Sequence, residues 1–134
     1  MTSGQANFLQ SGPSLFERLG GHDGLMTLLE HFYADVRQHN LIGPIFNGLI
    51  EDWPSHLKVI ARFWSTVTGG PSEYSGQMPA RHIPLSLKEE RFQAWLGLWK
   101  HNCRIYLPKD CASEMVDVAD SVASRLRKFC GVTS

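Results

Sequence analysis

Apolar side chains recur at helical spacing along almost the whole chain, and no stretch alternates apolar and polar residues as a half-buried strand would. The clearest run is Leu25, Leu28, Leu29, Phe32 and Val36, one stripe on a helix expected from about Asp23 to Gln38. Trp53, Leu57, Ile60, Trp64 and Val67 mark a second helix. Asp52 is its expected N-cap, Pro54 is tolerated in its first turn, and Gly69-Gly70-Pro71 ends it. A third helix carries Phe92, Trp95, Leu96, Trp99, Cys103 and Tyr106 on one face and stops at Pro108. The last begins near Asp110 and turns Met115, Ala119, Val122, Leu126 and Phe129 inward, with Gly131 at its end. Two capping boxes punctuate the pattern. Ser14-Leu-Phe-Glu17 opens a short helix that stops at Gly20-Gly21, and Ser86-Leu-Lys-Glu89 launches the third long helix. Leu41-Ile-Gly-Pro-Ile-Phe46 suits a tight helical corner delivering Ile45 and Phe46 inward, after which Asn47-Gly48 turns the chain. The fold class is all-α.

The chain has 134 residues, enough for one domain with one core and one cofactor pocket. Residues 1–13 are rich in Gly, Ser and Gln, without a basic start and an apolar core, and read as a flexible extension and not a signal peptide. The domain is then expected over 14–131, followed by a tail at 132–134. A formal net charge of zero gives no footprint for nucleic acid or an anionic membrane, and no apolar run reaches a membrane span. The three cysteines, Cys103, Cys111 and Cys130, show no C-x-x-C spacing, so a reducing cytoplasm is the expected compartment. No H-x-x-x-H, H-E-x-x-H, G-x-S-x-G or phosphate-binding loop is present.

Two of the six histidines stand out. His31 and His101 lie roughly 200° from the centre of their helices' stripes and read as solvated, while His22 and His39 sit at helix ends. His56 lies about 60° from the Trp53 line, on the side of Ile60; on that feature alone it is a satisfied core histidine. His82 sits in Pro79-Ala-Arg-His-Ile-Pro84, where prolines on both sides restrict the backbone and can aim one imidazole. Alone it reads as a surface loop residue. Together the two could bracket a flat, metal-bearing cofactor. Four tryptophans and seven phenylalanines furnish either a plain aromatic core or the apolar walls of such a site. Trp95 and Tyr33 add a polar handle each, and a buried handle needs a partner.

The ordered set Phe32-Tyr33-x-x-Val36-Arg37, Leu41-Ile-Gly-Pro-Ile-Phe-Asn47, Trp53-Pro-x-His56, Phe63-Trp64, Tyr74-x-Gly76, His82-Ile-Pro-Leu85 and Phe92-x-x-Trp95 resembles the truncated haemoglobins, most closely their third group. The resemblance covers about Leu15 to Gly131. It implies a compact two-over-two helical sandwich around one haem b, with His82 as the iron's proximal ligand. Tyr33, His56 and Trp95 would line the distal side, and Phe46 and Ile60 would pack on the porphyrin. Lys58, Arg62, Tyr74 and Arg81 are candidates for the haem propionates. Where the family often has a second proline after the proximal segment, this chain has Ser86. The implied ligands are O2, CO, nitric oxide or similar small molecules. Redox chemistry on O2, nitric oxide or peroxide, fed by an electron-donating reductase, is the leading activity. Storage, delivery or sensing of oxygen without turnover is the alternative, and a haem-free helical interaction module a third. A monomer is expected.

Overall fold

The computed structural model describes residues 12–71 and 88–130, with side chains through Lys128. Six helices are described: α1 (Leu15–Arg18), α2 (Gly21–Gln38), α3 (Gly43–Leu49), α4 (Trp53–Val67), α5 (Glu89–Tyr106) and α6 (Lys109–Cys130). Among the described residues there is no strand. The expectations for residues 1–11, for Phe129 as a core side chain and for Gly131 lie outside what is described.

The first capping box forms as expected: the Ser14 hydroxyl accepts from the Glu17 amide, and Glu17 Oε1 accepts from the Ser14 amide, both at 3.2 Å. Gly20, at φ 111°, then reverses the chain, and α2 starts two residues earlier than Asp23. At α4, Asp52 Oδ1 accepts from the Ser55 amide at 3.2 Å, so the expected N-cap holds, with Pro54 in the first turn.

The expected turn is corrected. Asn47-Gly48 does not turn the chain, because both are helical within α3. The Asn47 amide spends its donor on the Arg37 carbonyl, at 3.0 Å, and not on its own backbone. The second capping box involves Ser86, which lies outside the described residues. α5 begins at Glu89 with Lys88 in the cap position and no side-chain cap bond from it. The Glu89 carboxylate accepts from Arg127 Nε and Nη2 at 2.8 and 3.0 Å and from Gln93 at 2.7 Å.

The long helices pack as two pairs, α2 with α4 and α5 with α6, and α2 crosses α5 to join them. This is the two-over-two helical sandwich. Leu25, Leu28, Leu29, Phe32 and Val36 are all fully buried, as their stripe requires. Each such side chain contributes about 1.5–3 kcal/mol by leaving water. Trp99 sits at the centre of the crossing, also fully buried. Its indole N–H donates to the Met115 carbonyl at 3.0 Å, and its ring stacks on Trp64 with centroids 4.5 Å apart. Phe92 packs in a smaller cluster with Ala123 and Leu126.

The stripes of α4 and α5 differ from expectation at their ends. In α4 the buried line is Trp53, Ala61, Trp64 and Ser65, while Leu57 and Ile60 are half-buried and Val67 is exposed. The small residues Ala61 and Ser65 permit close approach, so the helix rolls toward them. In α5, Tyr106 is exposed and stacks on His31, with ring centroids 4.1 Å apart. No helix of the described residues is long and apolar enough to cross a membrane.

Candidate functional site

Tyr33 follows Phe32 on the buried face of α2 and is itself buried. Trp95, half-buried on α5, brings its indole N–H toward the Tyr33 hydroxyl oxygen. Burial pushes the Tyr33 phenol well above its ordinary value of 10, with the Trp95 bond pulling weakly the other way. The phenol therefore stays neutral and keeps its O–H proton throughout the physiological range. A hydroxyl has one donor and two acceptor positions. An indole N–H can only donate, so toward Trp95 the Tyr33 oxygen can act only as an acceptor, and the O–H remains a donor for a third group.

Aromatic rings surround the pair. Phe32 meets Tyr33 and Trp95 edge-on, with centroids 4.7 and 5.4 Å away. Phe46 of α3 lies 5.9 Å from Tyr33, and Trp53 of α4 lies 5.7 Å away. His56 is edge-on to Trp53 at 5.8 Å. Each of these helices meets the pair through a residue its own pattern turns inward, so the site is a product of the crossing and not of one loop.

His56, Ile60 and Phe63 fall at i, i+4 and i+7 and form one edge of α4. All three are half-buried, as are Phe46 and Trp95. A flat apolar group laid on this edge would complete the burial of Ile60, Phe63 and Phe46, and the donor pair would lie beside it. The residues therefore fit a haem. Lys58 and Arg62 are exposed on α4, roughly 160° and 120° around the helix from His56. The fold thus brings Tyr33, Trp95, His56, Phe46 and Ile60 together and leaves Lys58 and Arg62 away from that edge. Tyr74, Arg81 and His82 lie outside the described residues. Among the described residues no group of three His, Cys, Asp or Glu could hold a metal ion.

One member of the site was not singled out by sequence reasoning. Trp53 was read as core alone, yet its ring bridges Tyr33 and His56. The available signal was its position three residues before His56 on the same helix face.

A helical sandwich with a buried hydroxyl donor beside an apolar edge is the architecture of a prosthetic-group carrier. Comparison with known proteins agrees. The model of the bacterial-like globin family matches residues 14–114. Group 3 truncated hemoglobin ctb of Campylobacter jejuni is 30% identical over 112 residues, spanning 80% of this chain and 88% of that one. The crystal structure of a group III truncated hemoglobin from Campylobacter jejuni superposes with a TM-score of 0.77 at 29% identity, covering 82% of this chain and 91% of that one. The 2/2 hemoglobin of Synechococcus sp. PCC 7002 has a TM-score of 0.78 at 22% identity over 89% of this chain and 99% of that one, a likeness of fold. This chain belongs to the bacterial-like globin family. It is accordingly a haem protein that binds small diatomic ligands at the iron, and its likeness to group III accords with the ordered motifs.

Proposed function

We propose that this globin holds haem b through His82 and carries out redox chemistry on O2, nitric oxide or peroxide. The observation that carries the reading is the buried Tyr33 hydroxyl inside an aromatic enclosure, with the Trp95 indole beside it. Haem supplies an iron that binds diatomic ligands and changes oxidation state. The His82 imidazole ligates through one ring nitrogen, held in direction by Pro79 and Pro84. Phe46 and Ile60 pack on the porphyrin face, and Tyr74 and Arg81 meet the propionates. The Trp95 indole N–H, beside the Tyr33 hydroxyl, favours its oxygen as acceptor and its O–H as donor. The Tyr33 O–H, neutral and water-excluded, then donates to whichever ligand atom gathers negative charge, at about 1.5–3 kcal/mol. His56, half-buried at the edge of the enclosure, stands where a ligand would arrive from solvent. A donor that favours charge on oxygen slows oxygen loss and promotes its reduction, which suits turnover better than delivery.

The electrons come from a reductase. The globin unit runs over residues 14–131 and works as a monomer in the cytoplasm. Burial pushes the Cys103 thiol up to about 12, so it rests as an inert thiol suited to a reducing compartment.

The test is conversion of nitric oxide with O2 and one electron to nitrate, which balances as NO + O2 + e− → NO3−. Rapid mixing of the reduced, oxygenated protein with nitric oxide should give stoichiometric nitrate, and repeated turnover with a reductant. Oxygen that leaves intact, without nitrate and without reductant consumption, would establish storage or delivery instead.

A further inference from the structure

We propose that Arg37 is a positioning residue of this site: its guanidinium, tied to Asn47, holds the Trp53 indole as a wall between Tyr33 and solvent and thereby sets ligand access. The claim rests on the reading of Tyr33 as the ligand's hydrogen-bond donor.

Trp53 is the first residue of α4, so no preceding turn of that helix supports its ring. Its inner side faces Tyr33, tilted 44° at 5.7 Å, and His56, edge-on at 5.8 Å. Its outer side is covered by Arg37, whose Cζ lies 4.8 Å from the indole centroid. Arg37 is exposed while Trp53 is only 8% exposed, so the guanidinium and its stem are the cover. Holding a long side chain flat on a ring at a surface costs rotamer entropy that a second tie helps to offset. Asn47 provides it at both ends of the same residue. Arg37 Nε donates to Asn47 Oδ1 at 3.3 Å, and Asn47 Nδ2 donates to the Arg37 carbonyl at 3.0 Å. That carbonyl is one of the last in α2 and has no partner within its helix.

The backbone is shaped for this contact. At Gly43 a Cβ would stand 2.7 Å from the Arg37 carbonyl oxygen, so the first turn of α3 can press onto it only without a side chain. The end of α2, the corner α3 and the start of α4 are thus fastened through one cation and one amide. If the fastening loosens, the indole swings off its unsupported helix end, and the route past His56 to the Tyr33 hydroxyl opens.

The guanidinium is required and not merely a positive charge. Its planar fork can lie on a ring and still donate sideways to an amide, which a lysine ammonium cannot do in one posture. A cation–π contact at such an exposed site corresponds to about a two- to five-fold shift between the closed and open positions of the ring.

The experiment uses the haem-loaded full chain, as wild type, Arg37→Gln, Arg37→Lys and Asn47→Ala. Association of CO and of the bulkier ethyl isocyanide with the reduced protein is followed by stopped flow. Arg37→Gln should speed isocyanide binding about two- to five-fold and CO binding less, since only the larger ligand needs the wall to move. Arg37→Lys should fall between, and Asn47→Ala should move the same way as Arg37→Gln. In the CO-loaded protein, hydrogen exchange of the Trp53 indole N–H, read by NMR, should quicken in parallel. Unchanged isocyanide rates in folded Arg37→Gln and Asn47→Ala proteins, or unchanged indole exchange, would overturn the proposal. Should Arg37→Gln fail to fold, Asn47→Ala alone decides, because it cuts the tie and leaves Arg37 in place. A Tyr33→Phe protein that releases oxygen like wild type would sink the reading of Tyr33 without touching the access rates, so the two failures are distinct.

Discussion

Removing the Tyr33 hydroxyl separates ligand chemistry from packing. Tyr33→Phe keeps the ring and its contacts with Phe32, Phe46 and Trp53. It deletes two interactions of different kinds. The first is the donation from Tyr33 to the ligand, about 1.5–3 kcal/mol when the acceptor carries charge, or roughly 10–150-fold in oxygen release. CO carries less charge when bound, so its release should change little. The second is the interaction with Trp95, whose N–H loses the hydroxyl it approaches. An unsatisfied buried donor costs about 1–3 kcal/mol, and since Trp95 is only half-buried the lower part of that range is expected. Tyr33→Phe should therefore melt below wild type as well as release oxygen faster. Trp95→Phe in the Tyr33→Phe background removes the orphaned donor and should recover part of the lost stability without restoring slow oxygen release. Stopped-flow release of both gases and urea melts of the four proteins complete the cycle. Equal acceleration of O2 and CO would mean that the pocket has been opened sterically and would refute the electrostatic argument. A double variant no more stable than Tyr33→Phe would refute the Trp95–Tyr33 bond as the source of the stability loss.

Further outcomes follow from the same geometry. His82→Ala should lose haem, or keep it only with added imidazole; a wild-type absorption spectrum would show that another residue holds the iron. Trp99→Ala should cost about 3–5 kcal/mol in urea unfolding, because the ring is fully buried and hydrogen-bonded to Met115, whereas Phe63→Ala should cost distinctly less, because Phe63 is half-buried. Equal losses would place Phe63 in the core after all. Arg18 holds Glu114 through bonds of 2.7 and 2.8 Å, and this hydrogen bonding is the main cause that lowers the Glu114 carboxyl below its ordinary 4.5. The folded state then binds fewer protons there than the unfolded chain, so this stabilisation is present above about pH 4.5 and fades as pH falls through the lowered value. Arg18→Met should therefore lower stability at neutral pH by the small amount a surface bridge supplies, and the difference from wild type should vanish as pH falls through the lowered value; a difference that does not change with pH would discount the bridge.

Those outcomes depend on features that differ in how far the sequence reveals them. Patterns confined to one helix read correctly where every stripe residue is large. Leu25 to Val36 is such a case, with each member fully buried. In α4 the same reasoning follows bulk, and so it takes Val67 for core and passes over Ala61 and Ser65. The side a helix buries is also set by where small residues let a neighbour approach, and spacing rules do not weigh that. The two capping boxes make the point for polar residues. Ser14 and Glu17 have no competitor and pair with each other's backbone. Glu89 stands in the other motif, and its carboxylate takes a charge-assisted bidentate bond from an arginine across the helix pair, which the local motif does not reveal.

The site follows this logic. Tyr33 and Trp95 could be singled out because a ring with a donor, on or beside an apolar stripe, needs a partner. That they stand beside each other follows from the α2–α5 crossing, which no periodicity in either helix contains. Arg37, Asn47 and Trp53 are less legible still. Each has an ordinary local account, as a cation near a helix C-terminus, a turn residue and a stripe aromatic. Only the meeting of three helix ends gives them a joint role. The His56–Ile60–Phe63 edge belongs to the same class of feature. Its three side chains are half-buried. An apolar edge that packing leaves incomplete, next to a buried hydroxyl, is how a cofactor's place is written into a fold, and it lies beside the strongest part of the helical stripe, not within it.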